Sequence, residues 1–253
     1  MAGQMDGKVA VITGGSSGIG RESAGVFARE GAKVVVADVA VEGGEETVQL
    51  VRNVGGEAIF VKTDVSRAAE VEAMVNMAMT SYGRLDYAHN NAGIEGMVLT
   101  PTADWTEEAW NQVININLKG VWLCMKYEIP HMLKRGSGAI VNTASIAGLV
   151  GSRSAGYGAS KHGIVGLTKT AALEYAKSGV RVNAVCPGII RTPMVQRSLD
   201  RMPELEERFV EVEPIGRVGK PEEVAEATVW LCSDAASFVT GHAMTVDGGY
   251  VAQ

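Results

Sequence analysis

The sequence predicts a doubly wound α/β fold, with about seven parallel strands and helices on both faces. Three observations predict it. Short apolar, β-branched runs recur along the chain. Each is followed by a stretch with helical spacing, an alternation that builds a parallel sheet covered on both sides. The chain has 253 residues at 46% hydrophobic content, enough for one large core. No internal repeat or linker divides it, so residues 1–253 are expected to form a single domain.

The elements follow in order. Residues 9–12 (Val-Ala-Val-Ile) are a buried strand. A glycine-rich loop, Thr13 to Gly20, leads into a helix with Ala24, Phe27 and Ala28 on one face. That helix stops at Gly31, a C-terminal glycine. Residues 33–38 form the second strand, closed by Asp38. Glycines allow close backbone approach to a phosphate, and a helix N-terminus faces the anion with free N–H groups. Asp38, about 20 residues past the loop, stands where an acid accepts hydrogen bonds from a ribose diol. The spacing is TGxxxGxG. Its place between strand and helix, with an acid at the next strand's end, reads as dinucleotide binding.

Residues 58–63 form a third strand, leading to Asp64 and Val65. A helix over about 67–82 buries Val71, Met74, Val75 and Ala78. Residues 85–89 lead into Asn90, Asn91, Ala92 and Gly93. A long helical pattern runs from Thr106 to about Leu133. Thr106 is its N-cap, and Glu107 and Glu108 complement the dipole. Asn117 sits inside it, unusual for a middling helix former. It reads either as a bonded core residue or as an active-site amide near a kink. Residues 140–144 are a strand that delivers Ser145, and a helix over about 155–177 carries Tyr157 and Lys161. Residues 180–185 alternate as a strand. A Pro- and Gly-stiffened loop spans 186–193. Residues 194–218 read as a mobile lid with short helices. A helix over 222–233 and a strand over 243–246 close the chain.

Tyr157 and Lys161 are four apart, so on a helix they share one face. With Ser145 at a strand end, a hydroxyl, a phenol and an ammonium reach one point. A phenol titrates near ~10 and is a poor base at neutral pH. A neighbouring cation favours the phenolate. Bringing it to about 7 requires ~4 kcal/mol of differential stabilisation, which Lys161 beside a positively charged nicotinamide ring is expected to supply. The chemistry indicated is proton transfer at an alcohol or carbonyl oxygen, with Tyr157 as general acid/base.

Composition narrows the partners. The formal charge is −6, with no basic run, which argues against nucleic acid and anionic membrane. Cys124, Cys186 and Cys232 are scattered in apolar segments and read as buried free thiols in a reducing compartment. No signal peptide and no bilayer-spanning run is read, and no metal site. A cytoplasmic protein is expected.

Taken together, Thr13 to Gly20, Asp64-Val65, Asn90 to Gly93, Asn117, Ser145, Tyr157 to Lys161 and Pro187-Gly188 resemble the short-chain dehydrogenase/reductase family over nearly the whole chain. The resemblance implies a Rossmann-type fold and hydride transfer to or from nicotinamide C4. It implies a tetrad in which Ser145 bonds the reacting oxygen and Tyr157 transfers the proton. Lys161 would hold the nicotinamide ribose and lower the Tyr157 pKa, and Asn117 would hold a water linking Lys161 to solvent. Cofactor contacts would come from Gly14, Ser16, Ser17, Gly18, Ile19 and Gly20, and from Asp38 on the ribose. Asp64 and Val65 would flank adenine, and Asn91, Ala92 and Gly93 would support the cofactor side. Pro187, Gly188, Ile190 and Thr192 would meet the nicotinamide. Ser145 and Tyr157 would also bind substrate. A homotetramer is implied, with interfaces on the 106–133 and 155–177 helices and the C-terminal strand.

A finer similarity, to bacterial enzymes oxidising cyclic secondary alcohols or dihydrodiols, rests on residues 123–127, 140–145, 191–194 and 234–241. The 3-oxoacyl-carrier-protein reductases share most of these motifs and are the alternative enzyme. A dinucleotide-sensing regulator is the non-enzyme alternative. Asp38, and the lack of Arg or Lys before Gly18, point to NAD(H). Substrate walls are expected from residues 94–98, 146–154, 187–188 and 194–218. The first three of these are mostly apolar, with one acid, Glu95, and one base, Arg153, while 194–218 is charge-rich.

Overall fold

In the computed structural model, which describes residues 3–253, seven strands form one sheet. They are β1 Val9–Thr13, β2 Lys33–Asp38, β3 Ala58–Lys62, β4 Tyr87–Asn90, β5 Gly138–Thr143, β6 Val180–Pro187 and β7 Ala243–Val246. Their order is β3-β2-β1-β4-β5-β6-β7, all parallel. The order reverses between β1 and β4, which creates the crevice where such sheets bind ligands.

The helices are α1 Gly18–Arg29, α2 Val41–Asn53, α3 Ala68–Tyr82, α4 Glu107–Val113, α5 Gly120–Arg135, α6 Ala155–Tyr175, α7 Pro193–Arg201, α8 Leu205–Val212 and α9 Pro221–Cys232. Two cores result. On one face, Val11, Val35, Ile140 and Val182 of the strands pack against Met74 of α3, Met132 of α5 and Ile164 of α6. On the other, Ile12, Val36 and Val141 pack against Phe27 of α1, Val48 of α2 and Leu231 of α9. The central strands β1 and β2 are therefore buried on both faces and read as apolar runs without alternation, whereas β6 alternates through Arg181 and Asn183.

Two differences from the sequence reading have local causes. α2 has no counterpart in that reading, because Gly43 and Gly44 break its pattern. Gly44 is needed there, since a Cβ would run into the Phe60 ring. The long helix of 106–133 is interrupted by a π-helical segment, Ile114–Lys119, between α4 and α5. The wider turn around Asn117 is the kink that an interior Asn suggested. Thr106 caps α4 as expected, accepting from Ala109 N at 3.2 Å. The 194–218 region holds two short helices, α7 and α8, and its stems meet at a parallel bridge between Ile190 and Gly219.

The opposite sheet edge is fastened by one carboxylate. Buried Asp86 accepts from Val9 N at 2.9 Å and pairs with Arg84 at 2.7 Å and Arg135 at 3.1 Å. This leaves the carboxyl edge, where β1, β2, β4, β5 and β6 end, as the side that carries chemistry.

Candidate active site

The glycine loop leaves β1 and opens α1. Gly20 carries no Cβ, which allows the Gly14 carbonyl to lie against the helix. Ser17 is the N-cap, and its side chain makes no cap bond. The first-turn N–H groups of α1 have no intrahelical partner and face the crevice as an anion site. Asp38, at the end of β2, accepts from Ser16 N and Ala40 N, each at 3.0 Å. Those two bonds fix the carboxylate and leave lone pairs free, because a carboxylate accepts at about four sites. Arg21 is turned away from this acid. It donates to Ser16 O at 2.6 Å and pairs with Glu46 at 2.7 Å.

Asn91 ties the loop to the centre of the sheet. Its Nδ2 donates to Thr13 O at 3.1 Å and Gly14 O at 3.3 Å. Thr13 Oγ1 accepts from the backbone N–H groups of Asn91 and Ala92 at 3.0 and 3.1 Å. Thr143 Oγ1 donates to Asn91 Oδ1 at 3.3 Å and lies 2.8 Å from His89 Nε2. Burial holds the His89 pKa down to about 3, so the ring is neutral. Thr13 was read only as the start of the glycine motif, and the parts of Thr143 and His89 were missed by the sequence reading. Each ends or nearly ends a strand, which was the available signal.

Ser145 lies two residues beyond β5, with its Oγ accepting from Ala147 N at 3.1 Å. Tyr157 and Lys161 stand one above the other on α6. Lys161 is 3% exposed, and its Nζ donates to Thr143 O at 2.7 Å. Burial pushes its pKa down to about 8. The Tyr157 phenol runs against expectation. Its pKa is raised, first by burial, then in part offset by the Ser145 side chain, with the Glu95 carboxylate adding to the rise. Lys161 is not among the groups that move it. Its Nζ is 5.4 Å from the Tyr157 ring centroid and already bonded to a carbonyl. In the protein alone the phenol is therefore neutral at physiological pH.

Asn117 is fully buried behind Lys161. Its Oδ1 accepts from Ile94 N and its Nδ2 donates to Ile94 O, both at 2.9 Å. Nδ2 also donates to Ser160 Oγ at 3.2 Å, and Ser160 Oγ donates to Tyr157 O at 2.7 Å. The amide thus clamps the 93–94 segment to the α6 turn that carries the phenol. Ser160 is a further residue the sequence reading missed.

A cavity of about 460 Å³ runs along this edge. It is lined by Gly14, Ser16, Ser17, Gly18, Ile19 and Asp38 at one end, and by Ser145, Tyr157 and Lys161 at the other. Asn91, Ala92, Gly93, Pro187, Gly188, Ile190 and Thr192 also line it. Gly20, Asp64, Val65 and Asn117 do not line it. Asp64 Oδ1 is taken by the Ser66 N–H and hydroxyl at 2.9 and 2.7 Å, and Val65 is in the core. The open helix N-terminus, the fixed Asp38 and the converging phenol and ammonium fit the diphosphate, ribose and reactive ring of a dinucleotide.

A second cavity, of about 480 Å³, shares Ser145, Gly188 and Val195 with the first. Its walls come from the expected segments, with Tyr250 at the C-terminus as an addition. Its charge differs from expectation. Glu95 does not line it, and Arg208 of α8 joins Arg153. Leu99, on its wall, has φ 55°, a backbone conformation uncommon outside glycine. Ser154 steadies that wall by donating to Met97 O at 3.2 Å.

Among the described residues, no helix is long and apolar enough to cross a membrane, and no group of three His, Cys, Asp or Glu is placed to hold a metal. The three cysteines are buried and free.

Known proteins share this architecture over the whole chain. The family described as Enoyl-(Acyl carrier protein) reductase matches residues 14–251. Cyclohexanol dehydrogenase of Acinetobacter sp. (strain SE19) is 46% identical over 255 residues, covering 100% of this chain and 98% of that protein. A 2,5-dichloro-2,5-cyclohexadiene-1,4-diol dehydrogenase of Sphingobium indicum is 46% identical over 250 residues, covering 98% of each. The crystal structure of levodione reductase superposes with a TM-score of 0.95 at 41% identity, covering 98% of this chain and 99% of that one. With its parallel seven-stranded sheet, glycine loop and Ser-Tyr-Lys cluster in one crevice, the chain belongs to the short-chain dehydrogenase/reductase family.

Proposed function

We propose that the protein is an NAD(H)-dependent oxidoreductase acting on a small, mostly apolar cyclic secondary alcohol or its ketone, with Tyr157 as general acid/base. The observation that carries this reading is the junction of the two cavities at Ser145. A dinucleotide-shaped cleft and an apolar cavity meet where a hydroxyl, a phenol and an ammonium converge. The nicotinamide cofactor, when bound, accepts or supplies the hydride. Ser145 holds the substrate oxygen. Tyr157 gives its proton to that oxygen in reduction and takes it back in oxidation. Lys161 holds a positive charge beneath the phenol, fixed by Thr143 O, and Asn117 positions the backbone around both.

NAD(H) is supported by Asp38, whose carboxylate would repel a 2′-phosphate by ~4 kcal/mol or more per charge pair at an effective dielectric of 20. Arg21, the neighbouring cation, is engaged by Ser16 O and Glu46 and does not offset this. The relatives that act on cyclohexanol and on a cyclohexadiene diol support a ring alcohol. A homotetramer is supported by apolar residues exposed at the expected interfaces: Trp122 on α5, Leu173 on α6 and Phe238 before β7.

The test is turnover of a panel of cyclic and acyclic secondary alcohols and ketones with NAD(H) and NADP(H), in wild type and Tyr157→Phe. The substitution should lower kcat by ~10²–10⁴-fold and leave cofactor binding intact. Turnover of acetoacetyl thioesters, with none of ring alcohols, would favour the 3-oxoacyl reductase alternative. Undiminished turnover in Tyr157→Phe would remove the phenol from the mechanism.

A further inference from the structure

The arginines of this chain divide sharply. Of thirteen, nine give a hydrogen bond or an ion pair to a carboxylate or carbonyl. The four with no such partner among the described residues are Arg153, Arg197, Arg201 and Arg208. Three of those four line the two cavities of the active site. Arg197 faces the cofactor cleft, and Arg153 and Arg208 face the substrate cavity.

Arg153 and Arg208 come from separate parts of the chain. Arg153 lies on the loop before α6, and Arg208 is on α8. No Asp, Glu or Lys lines the cavity with them. Glu204 and Glu211 stand one helical turn from Arg208, yet no ion pair joins them to it. The nearby Glu206 is taken by Arg191 at 2.6 Å. The rest of the lining is mostly apolar, with Leu99, Val150 and Phe209 beside Ser152, Ser198 and Tyr250.

We propose that Arg153 and Arg208 form an anion subsite, and that the substrate is a ring alcohol carrying a carboxylate. This rests on the ring-alcohol reading above and narrows it. The hydroxyl meets Ser145 and Tyr157, the ring lies on the apolar wall, and the carboxylate meets two guanidinium groups. Guanidinium matches carboxylate in planar, two-point fashion. An apolar cavity with a few convergent polar groups is how small-molecule sites fix orientation. Both arginines are exposed, so their effect is screened by salt.

The experiment compares 4-hydroxycyclohexanecarboxylate with its uncharged carboxamide, by kcat/KM, in wild type, Arg153→Gln, Arg208→Gln and the double variant. Arg201→Gln, on neither cavity, is the control. Wild type should prefer the acid by at least ~10-fold, as charge-assisted hydrogen bonds allow. The preference should fall in each single variant, approach unity in the double variant, and shrink with added salt. The amide should lose less than the acid in every variant, and Arg201→Gln should match wild type. A wild-type ratio near one, or a ratio untouched by the double substitution, overturns the proposal.

Calorimetric binding of cyclohexanecarboxylate against cyclohexanecarboxamide separates this inference from the reading beneath it. Acid-selective binding that vanishes in the double variant, without turnover of any ring alcohol, upholds the subsite and removes the ring-alcohol function. Turnover of the amide with no acid preference does the reverse. Dependence on the two arginines seen only with a carrier-protein thioester would overturn the subsite and assign them to that partner.

Discussion

Glu128 offers a stringent test of the interior behind the site. It lies on α5 with 0% exposure. Its Oε2 accepts from Asn90 Nδ2 at 3.1 Å, and its Oε1 has no partner. Burial raises its pKa from an ordinary 4.5 to about 8, so at neutral pH the folded protein holds it protonated. The unfolded chain releases that proton above about 4.5. Between those values the folded state binds one more proton than the unfolded state, and stability falls as pH rises, by about 1.4 kcal/mol per unit. The stabilising contribution is complete below the unfolded pKa and is lost as pH climbs through the folded one. At pH 7 the penalty is about 3 kcal/mol. Glu128→Gln removes it and keeps the shape, and its amide can donate to Asn90 Oδ1, which is itself unpartnered. The variant should be more stable than wild type at pH 7 by an amount of that order. Its advantage should widen from pH 5 to pH 8 and then level off. Urea denaturation of both proteins at one protein concentration, in steps across that range, measures it. A wild-type-to-variant difference that does not change with pH would refute the reasoning.

Other expectations follow from the site. Asp38→Ala should erode a wild-type preference for NAD over NADP of at least roughly a hundredfold in kcat/KM, the size of ~2.7 kcal/mol; equal use of both cofactors by wild type would count against the role of Asp38. Because burial holds the Tyr157 phenol above its ordinary pKa, alcohol oxidation should rise with pH into the alkaline range while ketone reduction stays level until the phenol ionises. A bend near pH 8 should mark loss of the Lys161 charge, whose pKa is pushed down to about 8. An oxidation rate independent of pH from 6 to 9 would show that the phenol is not the base. Light scattering should give a mass near four times 26.6 kDa, and replacing exposed Phe238 and Leu173 with polar residues should lower it; a wild-type monomer at micromolar concentration would exclude the tetramer.

The strands and most helices were legible because periodicity and glycine punctuation report burial directly. The candidate residues on strand ends, such as Asp38, Asn91 and Ser145, were legible because topology alone brings those ends to one edge. What was not legible depended on packing depth or side-chain direction. α2 was hidden by the two glycines that let it approach Phe60. The spacing of Tyr157 and Lys161 predicted their shared face, but not that the ammonium would turn to Thr143 O. The rise in the phenol pKa likewise comes from the protein atoms packed around it at the cleft wall. Asp64, expected beside adenine, does not line the cleft and has one carboxylate oxygen bonded to Ser66, a local turn that the sequence did not show. Arg208 could not be assigned to the substrate wall, because nothing in a short, charge-rich helix says which side faces inward.

The bridge between Ile190 and Gly219 has a consequence for how such a protein diversifies. Arg191 N donates to Gly219 O at 2.8 Å, and Gly219 N to Ile189 O at 2.9 Å, so the stretch carrying α7 and α8 leaves and re-enters the body at one point. A stretch closed at its base can be exchanged without disturbing the strand order beneath it. Doubling its length would cost only ~0.6 kcal/mol of closure entropy. Selection can therefore rewrite the part that lines the second cavity, Val195 to Phe209, while the strand ends and glycine loop of the first stay as they are. Grafting this interval from one relative to another, cut at 190 and 219, is the economical way to move substrate preference between them.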